Sequence, residues 1–236
     1  MAVNNEIGSI QPIKAISELL ADKPTISFHV DAVQALAKIP TEKYLTGRVD
    51  FATFSSHKFH GVRGVGFVYI KSGKKITPLL TGGGQERDYR STTENVAGIA
   101  ATAKALRLSM EKLDIFTSKT GQMRSVIRQA LLDYPDILIF SDEEDFAPHI
   151  LTFGIKGVRG EVIVHAFEDY DIFISTTSAC SSKAGKPAGT LIAMGVDKDK
   201  AQSAVRLSLD LENDMSQVEQ FLTKLKLIYN QTRKVR

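Results

Sequence analysis

The region that most constrains the fold is a polar turn between two apolar runs, within residues 49–70. Residues 49–54 and 65–70 are rich in β-branched and aromatic side chains and are bounded by glycine and polar residues. Runs of this kind are typical of β-strands. The turn between the runs contains Lys58, so the pattern predicts a strand, a turn that carries a lysine, and a second strand.

Lys58 is the first candidate for chemistry. An ammonium group held between two apolar strands loses hydration, which favours the free amine that can attack a carbonyl. From position alone the alternative is an exposed turn residue, because most lysines are solvated. The upstream sequence favours the first interpretation, since an apolar run over 26–30 ends at Asp31 and is followed by Gln34. In an α/β sheet the ends of two such strands meet at the ligand-binding edge.

A lysine and a carboxylate at one sheet edge are what pyridoxal 5'-phosphate requires. The lysine amine reacts with the aldehyde of the cofactor, and the carboxylate keeps the pyridine nitrogen protonated so that the ring withdraws electrons. The placement of Asp31 and Lys58 therefore indicates pyridoxal 5'-phosphate as the cofactor.

Six short motifs extend this pattern along almost the whole chain. They are VNNEIG (3–8), HVDAVQ (29–34), SSHK (55–58), GGGQER (82–87), SACSS (178–182) and VRLS (205–208). In this order the motifs resemble the cysteine desulfurases of the NifS and IscS type, which are pyridoxal-phosphate enzymes of the class-V aminotransferase family. The resemblance implies an α/β fold of the pyridoxal-phosphate transferase type I, similar to aspartate aminotransferase.

The resemblance also organises the chain into a partial large domain and an α+β small domain. Residues 1–113 are predicted to be the C-terminal portion of the large cofactor-binding domain, and residues 114–236 the small C-terminal domain with the cysteine loop. In the family the VNNEIG stretch lies deep inside the cofactor domain, so the chain is expected to lack the N-terminal part of the family's chain. A truncated chain of this kind is expected to have little activity alone.

Apolar spacing predicts the remaining elements. Helices are predicted over 12–21, 95–113, 118–132, 161–167 and 215–229, and strands over 137–140, 150–155, 172–174 and 204–209.

Cys180 is the only cysteine of the chain. A lone cysteine is usually a small buried apolar residue. Here no apolar periodicity surrounds it, the neighbouring glycines and serines predict mobility, and Lys183 and Lys186 favour the thiolate that a nucleophile requires. The sequence predicts a mobile thiol that takes up sulfur at one place and offers it as a persulfide at another.

Two further regions are ambiguous on their own. The glycines at 82–84 allow backbone amides to approach a phosphate, although a plain surface loop is the alternative. Arg206 alternates with apolar neighbours, which suits either a bidentate grip on a carboxylate or an outward-facing strand residue.

The resemblance implies a role for each candidate residue, with L-cysteine as substrate and alanine as product. Lys58 binds the cofactor and shuttles protons, His57 is placed with it in the catalytic turn, and Cys180 receives the sulfur. The implied binding residues are Asp31 for the pyridine nitrogen, Asn5 and Gln34 for the phenolic oxygen, Ser55 and His57 for the phosphate, Thr93 for the phosphate of the partner subunit, and Arg206 for the substrate carboxylate.

The implied partners are a second copy of the chain, in a homodimer, and sulfur-acceptor proteins of iron–sulfur cluster assembly or tRNA thiolation. The formal charge of +3 is small and the basic residues are scattered among acids, so no direct nucleic-acid binding is predicted. No apolar run approaches 18 residues and no leader is recognisable, so a cytoplasmic protein without membrane contact is expected. One cysteine cannot supply a multi-cysteine metal site, and no metal is predicted.

Two alternatives remain open. One is another enzyme of the same fold, such as a selenocysteine lyase. The other is a catalytically silent remnant that keeps only interaction surfaces.

Overall fold

The computed structural model describes residues 1–177 and 189–234, and the chain divides into two compact units. The first unit consists of Met1–Ala2 and Gln11–Leu113, and the second of Val3–Ile10 and Asp114–Arg236. Among the described residues, no helix is long and apolar enough to cross a membrane.

The first unit contains a three-stranded sheet in the order β1-β2-β3. Strands β1 and β2 are parallel, and β3 is antiparallel to β2. Three single 3-10 turns, at Thr41–Lys43, Ser56–Phe59 and Glu86–Asp88, lie in the connections. The regular elements are α1 (Ile13–Leu19), β1 (His29–Asp31), β2 (Phe51–Ser55), β3 (Gly66–Ile70) and α2 (Val96–Met110).

The second unit contains a four-stranded antiparallel sheet in the order β4-β5-β7-β6. Its elements are α3 (Leu113–Leu131), β4 (Ile137–Ile139), β5 (Ile150–Ile155), α4 (Gly160–Glu168), β6 (Ser175–Thr176), α5 (Gly189–Ala193), α6 (Lys198–Gln202), β7 (Val205–Ser208) and α7 (Met215–Lys234).

The core of the second unit forms around β5, whose six residues are all buried. Helices α3, α4 and α7 contribute apolar side chains to the same cluster. The rings of Phe167 and Phe221 stack with their centroids 4.9 Å apart, and Phe153 meets Phe221 edge-on. Burying aromatic residues in this way removes a large apolar area from water and stabilises this unit.

The segment Val3–Ile10 belongs to the second unit, whereas the sequence placed all of residues 1–113 in the first domain. The reason is a set of hydrogen bonds that the sequence pattern does not reveal. The carbonyl of Glu6 accepts from the Thr152 hydroxyl (2.6 Å), and the carbonyl of Ile7 accepts from the Ser141 hydroxyl (2.5 Å). Both hydroxyl groups belong to buried residues, so these bonds fix the segment beside β5.

Most of the predicted strands and helices are confirmed, although the strand predicted from residue 26 begins only at His29, and one strand is wrong. The apolar residues 172–174 do not join the sheet, and β6 instead covers Ser175–Thr176. The Ile172 N–H donates to the carbonyl of Phe167 at the end of α4 (3.1 Å), and Asp171 has a left-handed backbone with φ 56°. The tight turn after α4 therefore uses the backbone donor that a strand at Ile172 would need.

Candidate functional site

Asp31 lies at the carboxyl end of β1, directly beside Thr53 of the parallel strand β2. The ladder continues one residue further, because the Ala32 N–H donates to the carbonyl of Thr53 (3.0 Å). The carboxylate of Asp31 is exposed, and its Oδ1 accepts from the Val33 N–H at 3.0 Å. This short-range bond fixes the orientation of the carboxylate at the edge of the sheet.

Lys58 lies at the same edge, in the 3-10 turn Ser56–Phe59 that follows β2. Ser55 ends β2, and the turn closes at His60, whose φ of 66° is left-handed. His57 is exposed and Lys58 is half-buried, while Ser56 and Phe59 on either side are fully buried. The amine of Lys58 and the carboxylate of Asp31 therefore follow neighbouring parallel strands, the position where α/β sheets bind ligands.

The chemical groups at this edge match those of pyridoxal 5'-phosphate. Within the described residues, the side chains of Gln34, Ser55, His57 and Lys58 have no hydrogen-bond or ionic partner, so their polar groups are available. An amine suits the aldehyde, the Asp31 carboxylate suits a protonated pyridine nitrogen, and amide, hydroxyl and imidazole groups suit the phenolic oxygen and the phosphate. The residues present thus fit the cofactor that the sequence indicates.

Thr93 lies in the first unit, in an exposed segment just before α2. The helix begins after Asn95, whose side chain accepts from the Gly98 N–H (3.0 Å) as an N-cap. The cap fixes the start of the helix, and Thr93 precedes it with its side chain in solvent. The role of Thr93 toward a partner subunit stays a prediction.

Arg206 and Asn5 meet in the second unit, a pairing that the sequence did not predict. Arg206 lies in β7 between Thr152 of β5 and Ser175 of β6, and its Nη1 donates to the backbone carbonyl of Asn5 (2.6 Å). Its Nε is buried and has no acceptor among the described residues. A guanidinium group with an unused buried donor retains the capacity to bind an anion such as a carboxylate.

A second contact that the sequence did not predict joins the VNNEIG segment to helix α5. The Thr190 N–H donates to the carboxylate of Glu6 (3.1 Å), and the side-chain amide of Asn4 donates to the Thr190 hydroxyl (3.3 Å). These residues are more than 180 positions apart in the chain. No local spacing or periodicity carries information about such a pair.

Cys180, with Lys183 and Lys186, falls in residues 178–188, outside the described residues. Its predicted role as sulfur acceptor therefore stays a prediction.

Comparisons with known proteins identify the family. The family description "Aminotransferase class-V" matches residues 1–221. The chain is 51% identical over 236 residues to a protein of Lactobacillus delbrueckii subsp. bulgaricus named "NifS/IcsS protein homolog", covering all of this chain and 61% of that protein. It is 37% identical over 238 residues to "Cysteine desulfurase IscS" of Clostridium botulinum, covering all of this chain and 59% of the relative.

Solved structures agree with the sequence relatives. The fold superposes on a "NIFS-LIKE PROTEIN" with a TM-score of 0.86 at 37% identity, covering 98% of this chain and 60% of that structure. It superposes on a NifS-like protein from Rickettsia africae with a TM-score of 0.85 at 28% identity, covering 97% and 60%. The predicted α/β fold is thereby confirmed, and the chain spans about three fifths of the length of these relatives. The chain belongs to the class-V aminotransferase family, where it groups with the NifS- and IscS-like proteins.

Proposed function

We propose that this chain carries the chemistry of a cysteine desulfurase, which removes sulfur from L-cysteine to give alanine and a persulfide on Cys180. The observation that carries the proposal is the placement of Lys58 and Asp31 at the carboxyl ends of two parallel strands. Relatives named as cysteine desulfurases support the same reaction.

The residues of the first unit bind the cofactor in this proposal. Pyridoxal 5'-phosphate, when bound, supplies a ring that withdraws electrons from the substrate's α-carbon. Lys58 holds the cofactor through its amine and then moves a proton at the α-carbon, while Asp31 accepts from the pyridine nitrogen. Ser55 and His57 donate to the phosphate, and Gln34 binds the phenolic oxygen. The exposed His57 and the half-buried Lys58 are accessible for these roles.

The remaining roles are those that the resemblance implies. Asn5 binds the phenolic oxygen, Arg206 binds the substrate carboxylate, and Thr93 binds the phosphate held by a partner subunit of a homodimer. The half-buried guanidinium of Arg206, with its free Nε, supports its assignment to an anion. Sulfur-acceptor proteins, of iron–sulfur cluster assembly or tRNA thiolation in a cytoplasmic setting, complete the proposal.

The proposed sulfur transfer requires only the Cys180 thiolate, L-cysteine and one proton. The Cys180 thiolate forms a bond to the sulfur of L-cysteine while the Cβ–S bond of the substrate breaks. The carbon keeps the electron pair and takes up a proton, which gives alanine, and the sulfur stays on Cys180 as a persulfide. A thiolate in a lysine-containing stretch suits this attack.

The test combines two substitutions with one matched control. The chain is incubated with pyridoxal 5'-phosphate and L-cysteine, alanine is quantified, and persulfide on the peptide containing Cys180 is measured by mass spectrometry. Lys58→Ala is expected to abolish alanine release, and Cys180→Ala to abolish the persulfide while cofactor binding remains. Lys104→Ala, at an exposed position on α2, should change neither.

The Clostridium botulinum relative named as a cysteine desulfurase serves as the positive control for the assay. Persulfide undiminished in Cys180→Ala would show that another residue accepts the sulfur. Alanine release unchanged in Lys58→Ala would refute the proposed function.

A further inference from the structure

The turn that carries Lys58 is fastened at both ends to helix α2. Ser56, the first residue of the turn, has its Oγ 2.9 Å from the Oγ1 of Thr102. Phe59, the last residue, accepts a hydrogen bond at its carbonyl from the hydroxyl of Ser109 (3.1 Å). Thr102 and Ser109 are seven positions apart, which is two helical turns, so they lie on one face of α2.

The direction of the Ser56 hydrogen bond follows from counting protons. The Thr102 hydroxyl donates its single proton to the carbonyl of Gly98 (2.7 Å), because a carbonyl can only accept. The proton between the two hydroxyls must therefore come from Ser56. Ser56 is fully buried and Thr102 is 7% exposed, so without Thr102 the Ser56 hydroxyl would be buried with no acceptor.

Backbone hydrogen bonds and one close approach also hold the turn at Ser56. The Ser56 N–H donates to the carbonyl of Val65, and the Gly61 N–H donates to the carbonyl of Ser56, both at 3.0 Å. A Cβ at Gly61 would lie 1.9 Å from the Oγ of Ser56. The Ser56 side chain is thus enclosed between Gly61 and Thr102, and His57 and Lys58 lie between two fixed points.

We propose that Ser56, Thr102 and Ser109 are positioning residues for Lys58, which hold its amine at the carboxyl edge of β1 and β2. The inference rests on the proposed function of Lys58. The resemblance to the cysteine desulfurases implies no contact of Ser56, Thr102 or Ser109 with cofactor or substrate. Their effect on chemistry passes through the geometry of the turn.

The test separates hydrogen bonding from packing at position 102. Thr102→Val keeps the shape and removes the hydroxyl, whereas Thr102→Ser keeps the hydroxyl and removes the methyl group. Thr120→Val is a matched control, because Thr120 on α3 of the second unit is likewise buried and likewise donates to the carbonyl four residues earlier. Ser109→Ala removes the second anchor at a half-buried position.

Two measurements on the folded chain report the result. Amide hydrogen exchange at Ser56 and Gly61 reports whether the turn is held. Labelling with pyridoxal 5'-phosphate followed by borohydride reduction and peptide mapping reports the ratio of adduct on Lys58 to adduct on the exposed Lys104. In Thr102→Val we expect exchange at these amides to rise about tenfold and the labelling ratio to fall about tenfold, the factor for losing about one buried hydrogen bond.

The possible results separate the positioning role of Ser56, Thr102 and Ser109 from the proposed role of Lys58. The inference is supported if Thr102→Ser and Thr120→Val keep the wild-type amide exchange and the wild-type labelling ratio of Lys58 to Lys104. Ser109→Ala should give intermediate values. An unchanged ratio in Thr102→Val, or a loss in Thr102→Ser equal to that in Thr102→Val, would overturn it and leave the role of Lys58 intact. A wild-type chain that labels Lys58 no more readily than Lys104 would overturn the proposed role of Lys58 and the inference with it.

Discussion

Strands β3 and β5 are both short apolar runs, but their surroundings are very different. Both are short runs of β-branched, aromatic and glycine residues, FVYI with a preceding glycine in β3 and ILTFGI in β5. Every residue of β5 is buried, whereas four of the five residues of β3 are exposed. An apolar run therefore predicts a strand, but its neighbours decide whether the strand is buried.

The sheet order explains the difference. Strand β5 lies between β4 and β7, and its face packs on α3, α4 and α7. Strand β3 is at the edge of its sheet, paired only with β2 within the described residues. The second unit is stabilised by an apolar core around β5, whereas β3 contributes no fully buried side chain to the first unit.

The first unit also contains a buried polar network around Asp50, just before β2. Its carboxylate is 1% exposed and binds Arg48 (2.9 Å), Lys74 (3.2 Å) and the N–H of Phe28 (2.9 Å). Arg48 also donates to three backbone carbonyls, those of Leu20, Lys23 and Ile26. This network joins the segment before β1 to the start of β2.

The largest expected effect comes from removing the same ring in both strands. Phe153→Ala in β5 empties a site that is 0% exposed, and we expect a loss of about 3 to 5 kcal/mol in the free energy of unfolding. Phe67→Ala in β3 removes a ring that is 38% exposed and stacks on Phe54 at 4.6 Å, and we expect a loss of about 1 kcal/mol. Urea unfolding followed by circular dichroism, with hydrogen exchange in each unit, measures both values. Equal losses at the two positions would contradict the comparison.

The sequence predicted the strands and helices well because their signals are local. Strand β5 begins and ends where its apolar run does, at Ile150 and Ile155, and the strands on both sides of Lys58 follow theirs closely. The lysine turn and Asp31 could be placed at one edge because parallel strands align their carboxyl ends.

The features that could not be predicted depend on partners distant in sequence. Three features depend on residues that share no local pattern. They are the exposure of β3, the placement of Val3–Ile10 in the second unit, and the hydrogen bond from Arg206 to Asn5. One sequence feature relates to the hydrogen bond of Ser56, namely Thr102, which lies four residues after Gly98 in an alanine-rich helix. That feature becomes specific only when the structure places Thr102 against the turn.

Asp50→Asn tests whether the first unit depends on its buried charge. The substitution keeps the shape of the side chain and leaves Arg48 and Lys74 without their anion, so we expect a loss of about 1.5 to 3 kcal/mol in the free energy of unfolding. The effect should be confined to amides of the first unit in hydrogen exchange. Asp197→Asn, at an exposed position of the second unit, is the control. A loss no larger than that of the control would show that the network contributes little.

The same carboxylate gives a pH dependence with a defined sign. Burial alone would raise the pKa of Asp50, but hydrogen bonds from the Phe28 N–H, Arg48 and Lys74, with the charge of Lys74, outweigh burial and lower it. A lowered pKa stabilises the fold above the unfolded value of about 3.9, and this contribution is lost as the pH falls toward the folded value. The difference in unfolding free energy between wild type and Asp50→Asn should therefore shrink between about pH 5 and pH 3. A constant difference over this range would contradict the assignment.

The smallest expected change in stability is at Val68 of β3. Val68 is 43% exposed on an edge strand, so Val68→Lys should change the free energy of unfolding by less than about 0.5 kcal/mol. An exposed apolar edge is a template for pairing with another chain, and a lysine there opposes such pairing. We therefore expect Val68→Lys to reduce self-association in sedimentation velocity at micromolar concentration. Val126→Lys, with the same added charge at a site 37% exposed on α3, controls for net charge. Equal reduction by both substitutions would attribute the effect to charge rather than to the edge of β3.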